Sequence, residues 1–185
     1  MTEQTIVDNP VRYAGMREVS RICAGIGVSL ERAKATPMRS EGVVIDVDEA
    51  KGSAGHPGAM AFWTPFDPRP VINVLYDQIL FSTERLKPGD RATILGYVLA
   101  HEIGHVLMRT NAHSGGLMKA HWTPSDLGRM FNHSLAFLPI DQDAIRSGVA
   151  SFELQRGRRL GSGALNSQRH AGASRAETRQ TGGWI

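Results

Sequence analysis

Residues 88–107 read PGDRATILGYVLAHEIGHVL, and this stretch decides the architecture. Pro88, Gly89 and Asp90 form a helix start. Ile94, Val98, Leu99, Ile103, Val106 and Leu107 then recur at the spacing of one apolar helix face. Within that helix lies His101-Glu102-Ile103-Gly104-His105. Residues four apart share a helix face, so the imidazoles of His101 and His105 can address one metal ion. Glu102, one position on, is set beside a metal-activated water rather than on the metal. With 7 His and nine Glu in 185 residues, chance would produce this pattern about 0.013 times. The competing reading is a pair of solvated histidines on an amphipathic helix.

Outward from this helix, the chain reads as α+β. Asn9-Pro10 is an N-cap followed by a first-turn proline, opening a helix that ends near Gly25 or Gly27. Val28 to Leu30, Val43 to Val47, Met60 to Thr64 and Val71 to Tyr76 are short apolar or alternating runs between Gly, Pro, Ser and Asp clusters, and they read as strands of one small sheet. Thr123-Pro124-Ser125-Asp126 carries a cap, a first-position proline and the acid of a capping box. A last helix is expected from about Pro139 to Val149, with Asp141 and Asp143 near its positive end.

The formal charge of +3 is unevenly placed. Residues 152–185 contain six arginines and two glutamates, whereas residues 1–151 hold 15 basic and 16 acidic side chains. We therefore divide the chain into a domain over 1–151 and a basic Gly/Ser/Arg-rich tail over 152–185, expected to be disordered. A near-neutral folded part without a basic stripe argues against nucleic acid as partner. The single cysteine, Cys23, excludes an internal disulfide and a multi-cysteine zinc site, and reads as a small core hydrophobe. The longest apolar run, Thr93 to Ala100, is far too short for a membrane span. The N-terminus, Met-Thr-Glu-Gln-Thr-Ile-Val-Asp, has neither a basic start nor an apolar run, so the sequence as written predicts a cytoplasmic protein.

A catalytic zinc takes three protein ligands and keeps one position open. Downstream candidates for the third are His113, His121, Asp126 and His133, and the only later glutamates are Glu153 and Glu177. His113, eight residues past His105 and beyond a Thr-Asn-Ala stretch that can turn the chain back, is the choice, with Asp126 and His121 as alternatives. His121 and His133 otherwise read as surface or cap residues, His56 as a loop residue, and Trp122 as packing under the site.

His101-Glu102-x-x-His105, then His113-Ser114, then Gly116-Leu117-Met118 resembles the metzincin zinc proteases, and most nearly a group of bacterial zinc proteases with HExxHxL, HS, Gly-Ile/Leu-Met and a Trp-containing segment. The likeness spans roughly Met60 to Gly148. It implies a small mixed, twisted sheet with an edge strand at Met60 to Thr64 for a peptide substrate, and a mostly helical C-terminal part. It also implies Zn2+ on His101, His105 and His113, Glu102 as general base, and Met118 as the methionine turn beneath the metal. The chain departs from the family in two respects: the third His usually follows the second by six residues, and a Gly usually stands where Met108 does. The family likeness further implies an N-terminal strand, for which Thr5 to Val7 is available, and export, which an upstream start would reconcile with the N-terminus as written.

The expected function is zinc-dependent peptide-bond hydrolysis on a peptide or protein substrate. The alternatives are a non-catalytic zinc-binding interaction module, or a metal-dependent hydrolase of a non-peptide substrate. Peptide deformylase also uses HExxH, but it needs a ligand cysteine in a Gly-Cys-Leu-Ser setting, and Cys23 lies in Arg-Ile-Cys-Ala-Gly.

Overall fold

A computed structural model describes residues 10–30, 46–49, 59–64 and 70–154 of the chain. The order is α1 (Pro10–Ala24), β1 (Asp46–Glu49), β2 (Ala61–Thr64), β3 (Val71–Val74), α2 (Tyr76–Ser82), α3 (Pro88–Met108), a 3-10 turn (Gly116–Met118) and α4 (Pro124–Phe131). A fifth helix, α5, covers 139–154. The fold is α+β and mostly helical, with one small sheet ordered β1-β3-β2. β1 runs parallel to β3, with Asp46 opposite Val71. β2 runs antiparallel to β3, with Trp63 opposite Ile72, and forms an edge of the described sheet.

The core follows from the apolar faces legible in the chain. In α3 nearly every residue from Ile94 to Leu107 is buried, so this helix is the centre of the molecule rather than a surface element. α1 lies along it, burying Val19, Ile22 and Cys23. The two helices approach closely where α3 offers Gly96: a Cβ there would stand 2.5 Å from Cβ of Glu18. Burial holds the Cys23 thiol up at about 12, so it is a packed hydrophobe, as expected.

Two elements differ from expectation. Val28 to Leu30 belongs to no strand: α1 ends with Gly27 at φ 78° and the Val28 N–H closing back on the Cys23 carbonyl at 3.0 Å, and the three residues leave this turn as irregular chain, Val28 and Leu30 packed on the core and Ser29 exposed. The run from Val71 to Tyr76 splits into β3 and the start of α2, whose seven residues are too few for a helical period to show in sequence. β1 begins at Asp46, and the expected residues 43–45 lie outside the described residues.

α4 forms as its signals require. The Thr123 hydroxyl accepts the Asp126 N–H, and the Asp126 carboxylate accepts the Thr123 N–H in return. α5 continues past the expected end at Val149 to residue 154. Phe152 lies under the Arg109 guanidinium, 4.2 Å from ring centroid to Cζ, which ties the end of α5 to the end of α3. The tail from 155, the segment Thr5 to Val7 and His56 lie outside the described residues. Among the described residues no helix is long and apolar enough to cross a membrane.

Candidate metal centre

The helical repeat of α3 sets His101 and His105 one above the other on a buried face, with Glu102 about 60° further round the helix from His105, on the adjoining buried flank. The helix ends with Arg109 in the left-handed region at φ 53°, one residue beyond the position held by Met108, which remains helical. This longer helix and the irregular stretch after it account for the eight-residue gap. The closing turn bonds the Thr110 N–H to the His105 carbonyl and aims the Thr110 carbonyl back at the His105 ring. The chain then returns His113 to the same place. One ring nitrogen from each of His101, His105 and His113 lies within 4.8 Å of the others, and no other described residue joins that cluster.

The hydrogen bonds fix the tautomers. His101 Nδ1 lies 3.0 Å from the Leu117 carbonyl, and His105 Nδ1 lies 2.8 Å from that of Thr110. A carbonyl only accepts, so each Nδ1 carries the proton and each neutral ring keeps its lone pair on Nε2. The two Nε2 atoms face each other at 2.9 Å. Two lone pairs at that distance repel unless a proton or a metal cation stands between them. Burial lowers the pKa of His101 to about 4, against a raising bond to Leu117, and burial also lowers that of His105, so at neutral pH both rings are neutral. The donor set, neutral imidazoles with their far N–H groups committed to carbonyls, is the one a transition metal takes.

Glu102 is buried beside this pair. Burial pushes its carboxyl up to about 7, although the Trp63 backbone N–H, donated from β2, favours the ionised form. The edge strand and the site are therefore in contact. The Trp63 indole N–H also donates to Asn111 Oδ1 at 2.7 Å, on the loop that leads to His113.

Beneath the histidines runs the turn with Met118. Leu117 and Met118 are fully buried, and the Leu117 N–H is anchored on the Ala136 carbonyl at 2.9 Å. The Leu117 carbonyl receives both His101 Nδ1 and the Trp122 indole at 3.2 Å, and Trp122 meets the His101 ring edge-on at 5.5 Å. Trp122 thus packs at the metal-site loop, as the sequence suggested.

The alternative ligands are occupied elsewhere. Asp126 is consumed by the α4 capping box and by Lys119 Nζ at 2.9 Å; the Thr123 N–H, then Lys119, hold its carboxyl well below the usual range. His121 is exposed and outside the cluster. His133, in the left-handed region after α4, meets Glu18 at 3.0 Å on the far side of α3. What the sequence did not disclose is the supporting layer: the carbonyls of Thr110 and Leu117, the Trp63 N–H, Asn111, and the pairing of Ser114 with Asp141. Backbone groups carry no residue signature. Asp141 could be placed near a helix start from sequence, but its partner could not.

Comparison of the chain with protein families, curated proteins and solved structures finds no match.

Proposed function

We propose that this chain is a zinc-dependent peptidase of the metzincin kind, with His101, His105 and His113 holding the metal and Glu102 serving as general base. The observation that carries the reading is the opposed pair of ring nitrogens, 2.9 Å apart with both Nδ1 atoms committed to carbonyls, alongside a buried carboxylate one residue from the first histidine. Among the described residues the cluster has three histidines, which leaves a coordination position free for chemistry, whereas a structural zinc site is closed by four. A structural site also has no use for Glu102.

When bound, zinc supplies a lowered water pKa and polarisation of a substrate carbonyl. The remaining roles belong to the chain. The Leu117 and Thr110 carbonyls hold the two imidazoles in register through their N–H groups. The Trp63 N–H orients the Glu102 carboxylate, which takes the proton of the attacking water and passes it to the leaving amine, so that one water adds across the C–N bond. The edge of β2 next to Glu102 favours an extended peptide as substrate, laid along residues 61–64 as an added strand.

The test is cleavage of a mixed peptide library by purified protein, before and after removal of metal with a chelator and after zinc is restored. Cleavage that is lost with the metal and returns with it supports the reading. Stoichiometric zinc binding without peptide cleavage would instead favour a non-peptide substrate or an interaction module.

A further inference from the structure

The three histidines are not held alike. His101 and His105 sit on α3 and each has a ring hydrogen bond to a carbonyl, whereas His113 is exposed on an irregular segment, and no described residue hydrogen-bonds its ring. Its ring meets those of His101 and His105 at centroid distances of 5.4 and 4.9 Å, but with no hydrogen bond behind it the third imidazole depends on its backbone for support, and the next residue fixes that backbone. The Ser114 N–H bonds the Met118 carbonyl at 3.0 Å, and the Ser114 hydroxyl reaches both carboxylate oxygens of Asp141 at 2.9 Å.

Asp141 is well suited to act as the anchor. It lies in the first turn of α5, where its buried carboxylate also accepts the Leu138 N–H at 3.2 Å. This is half of a capping box, since Leu138 has no side-chain oxygen to accept the Asp141 N–H in return; the carboxylate instead takes a further hydrogen bond from the Ser114 hydroxyl, 27 residues earlier. The negative charge at the helix N-terminus and the hydroxyl donor satisfy each other, so α5 has a fixed point on the ligand loop.

We propose that Asp141 and Ser114 are positioning residues for the third metal ligand: the α5 N-terminus, acting through Ser114, sets where His113 presents its ring and so how tightly the site holds a metal. The inference rests on the three-histidine reading, but not on peptide hydrolysis.

Cobalt(II) and zinc titrations of the full chain test it by affinity and by the visible spectrum of bound cobalt. Loss of support behind a ligand lowers metal affinity about 10–100-fold. Ser114→Ala and Asp141→Asn are expected to fall in that range with a shifted cobalt spectrum, while Ser114→Thr, which keeps the hydroxyl, retains wild-type affinity. In a His113→Ala background, Ser114→Ala is expected to cause no further loss, because its route to the metal is gone. A general loosening of the fold would weaken binding in both backgrounds and would overturn the inference, as would wild-type affinity and spectrum in Ser114→Ala. Undiminished binding by His113→Ala would overturn the three-histidine reading itself, and the two failures are thereby distinct.

Discussion

Gly104 and Met118 are in contact: a Cβ on Gly104 would stand 2.8 Å from Sδ of Met118 and 3.1 Å from the Phe137 ring. Gly104 lies between His101 and His105 in sequence, so the turn that holds Met118 packs directly against the helix that carries them. In an open helix interior Gly→Ala stabilises by about 1 kcal/mol. Here Met118 is wholly buried, and Gly104→Ala is expected to reverse that sign, costing about 1–3 kcal/mol in urea unfolding and weakening metal binding through the Leu117 carbonyl. Met118→Leu, close in volume, is expected to cost under about 1.5 kcal/mol. A stabilised Gly104→Ala would show that the turn does not press on α3.

α5 meets the end of α3 even more closely. A Cβ on Gly148 would fall 1.9 Å from the Leu107 carbonyl oxygen, and backbone cannot rotate away as a side chain can. Gly148→Ala is expected to cost about 3 kcal/mol or more. Gly128, within α4, has nothing within 4 Å of such a Cβ, and Gly128→Ala is expected to stabilise by about 0.5–1 kcal/mol. Equal effects at the two positions in thermal unfolding would contradict this packing.

Acid and base act on the metal-free site in opposite senses. The His101 pKa lies below its unfolded value, so its contribution to stability is present above about 6.5 and is lost as pH falls towards about 4. The Glu102 pKa is raised above its unfolded value, so its contribution is present below about 4.5 and is lost as pH rises through about 7. The two trends largely cancel between those limits. Glu102→Gln removes one of them: relative to wild type, the metal-free variant is expected to be little changed at pH 4 and more stable at pH 8 by about 3 kcal/mol. A difference independent of pH would mean that Glu102 is not ionised against its burial.

Asp126 separates the two readings of the third ligand. Asp126→Ala removes the carboxylate half of the α4 capping box and the partner of Lys119, leaves the residue-126 N–H on the Thr123 hydroxyl, and is expected to destabilise by about 1–2 kcal/mol while leaving metal stoichiometry intact. His121→Ala is expected to change neither. Metal loss from a folded Asp126→Ala protein, measured by zinc titration alongside circular dichroism, would return Asp126 to the ligand set.

The parts of this structure that were legible in the sequence are those fixed by local spacing. The apolar repeat of α3, its His-Glu-His face and the Thr123/Asp126 capping box all lie within a few helical turns, and each formed where the residues placed it. The position of His113 was harder, because its return depends on a helix one residue longer and closed by a left-handed Arg109. The strand reading failed at Val28 to Leu30, where Val28 and Leu30 leave a helix-ending turn and pack partly on the core with no partner strand among the described residues. Trp122 apart, the layer behind the three histidines could not be read. Ser114 and Asp141 are 27 residues apart, Trp63 and Asn111 48 apart, and the groups that fix the histidine tautomers are backbone carbonyls, which carry no residue signature.

Glu102 is proposed to do chemistry at a metal it does not hold, and the decisive test is paired measurement of zinc content and peptide turnover in Glu102→Gln. The variant is expected to hold one zinc per chain, as in wild type, with hydrolysis of a peptide that wild type cleaves reduced by at least about 100-fold. Turnover at the wild-type rate in the zinc-loaded variant would contradict that role for Glu102.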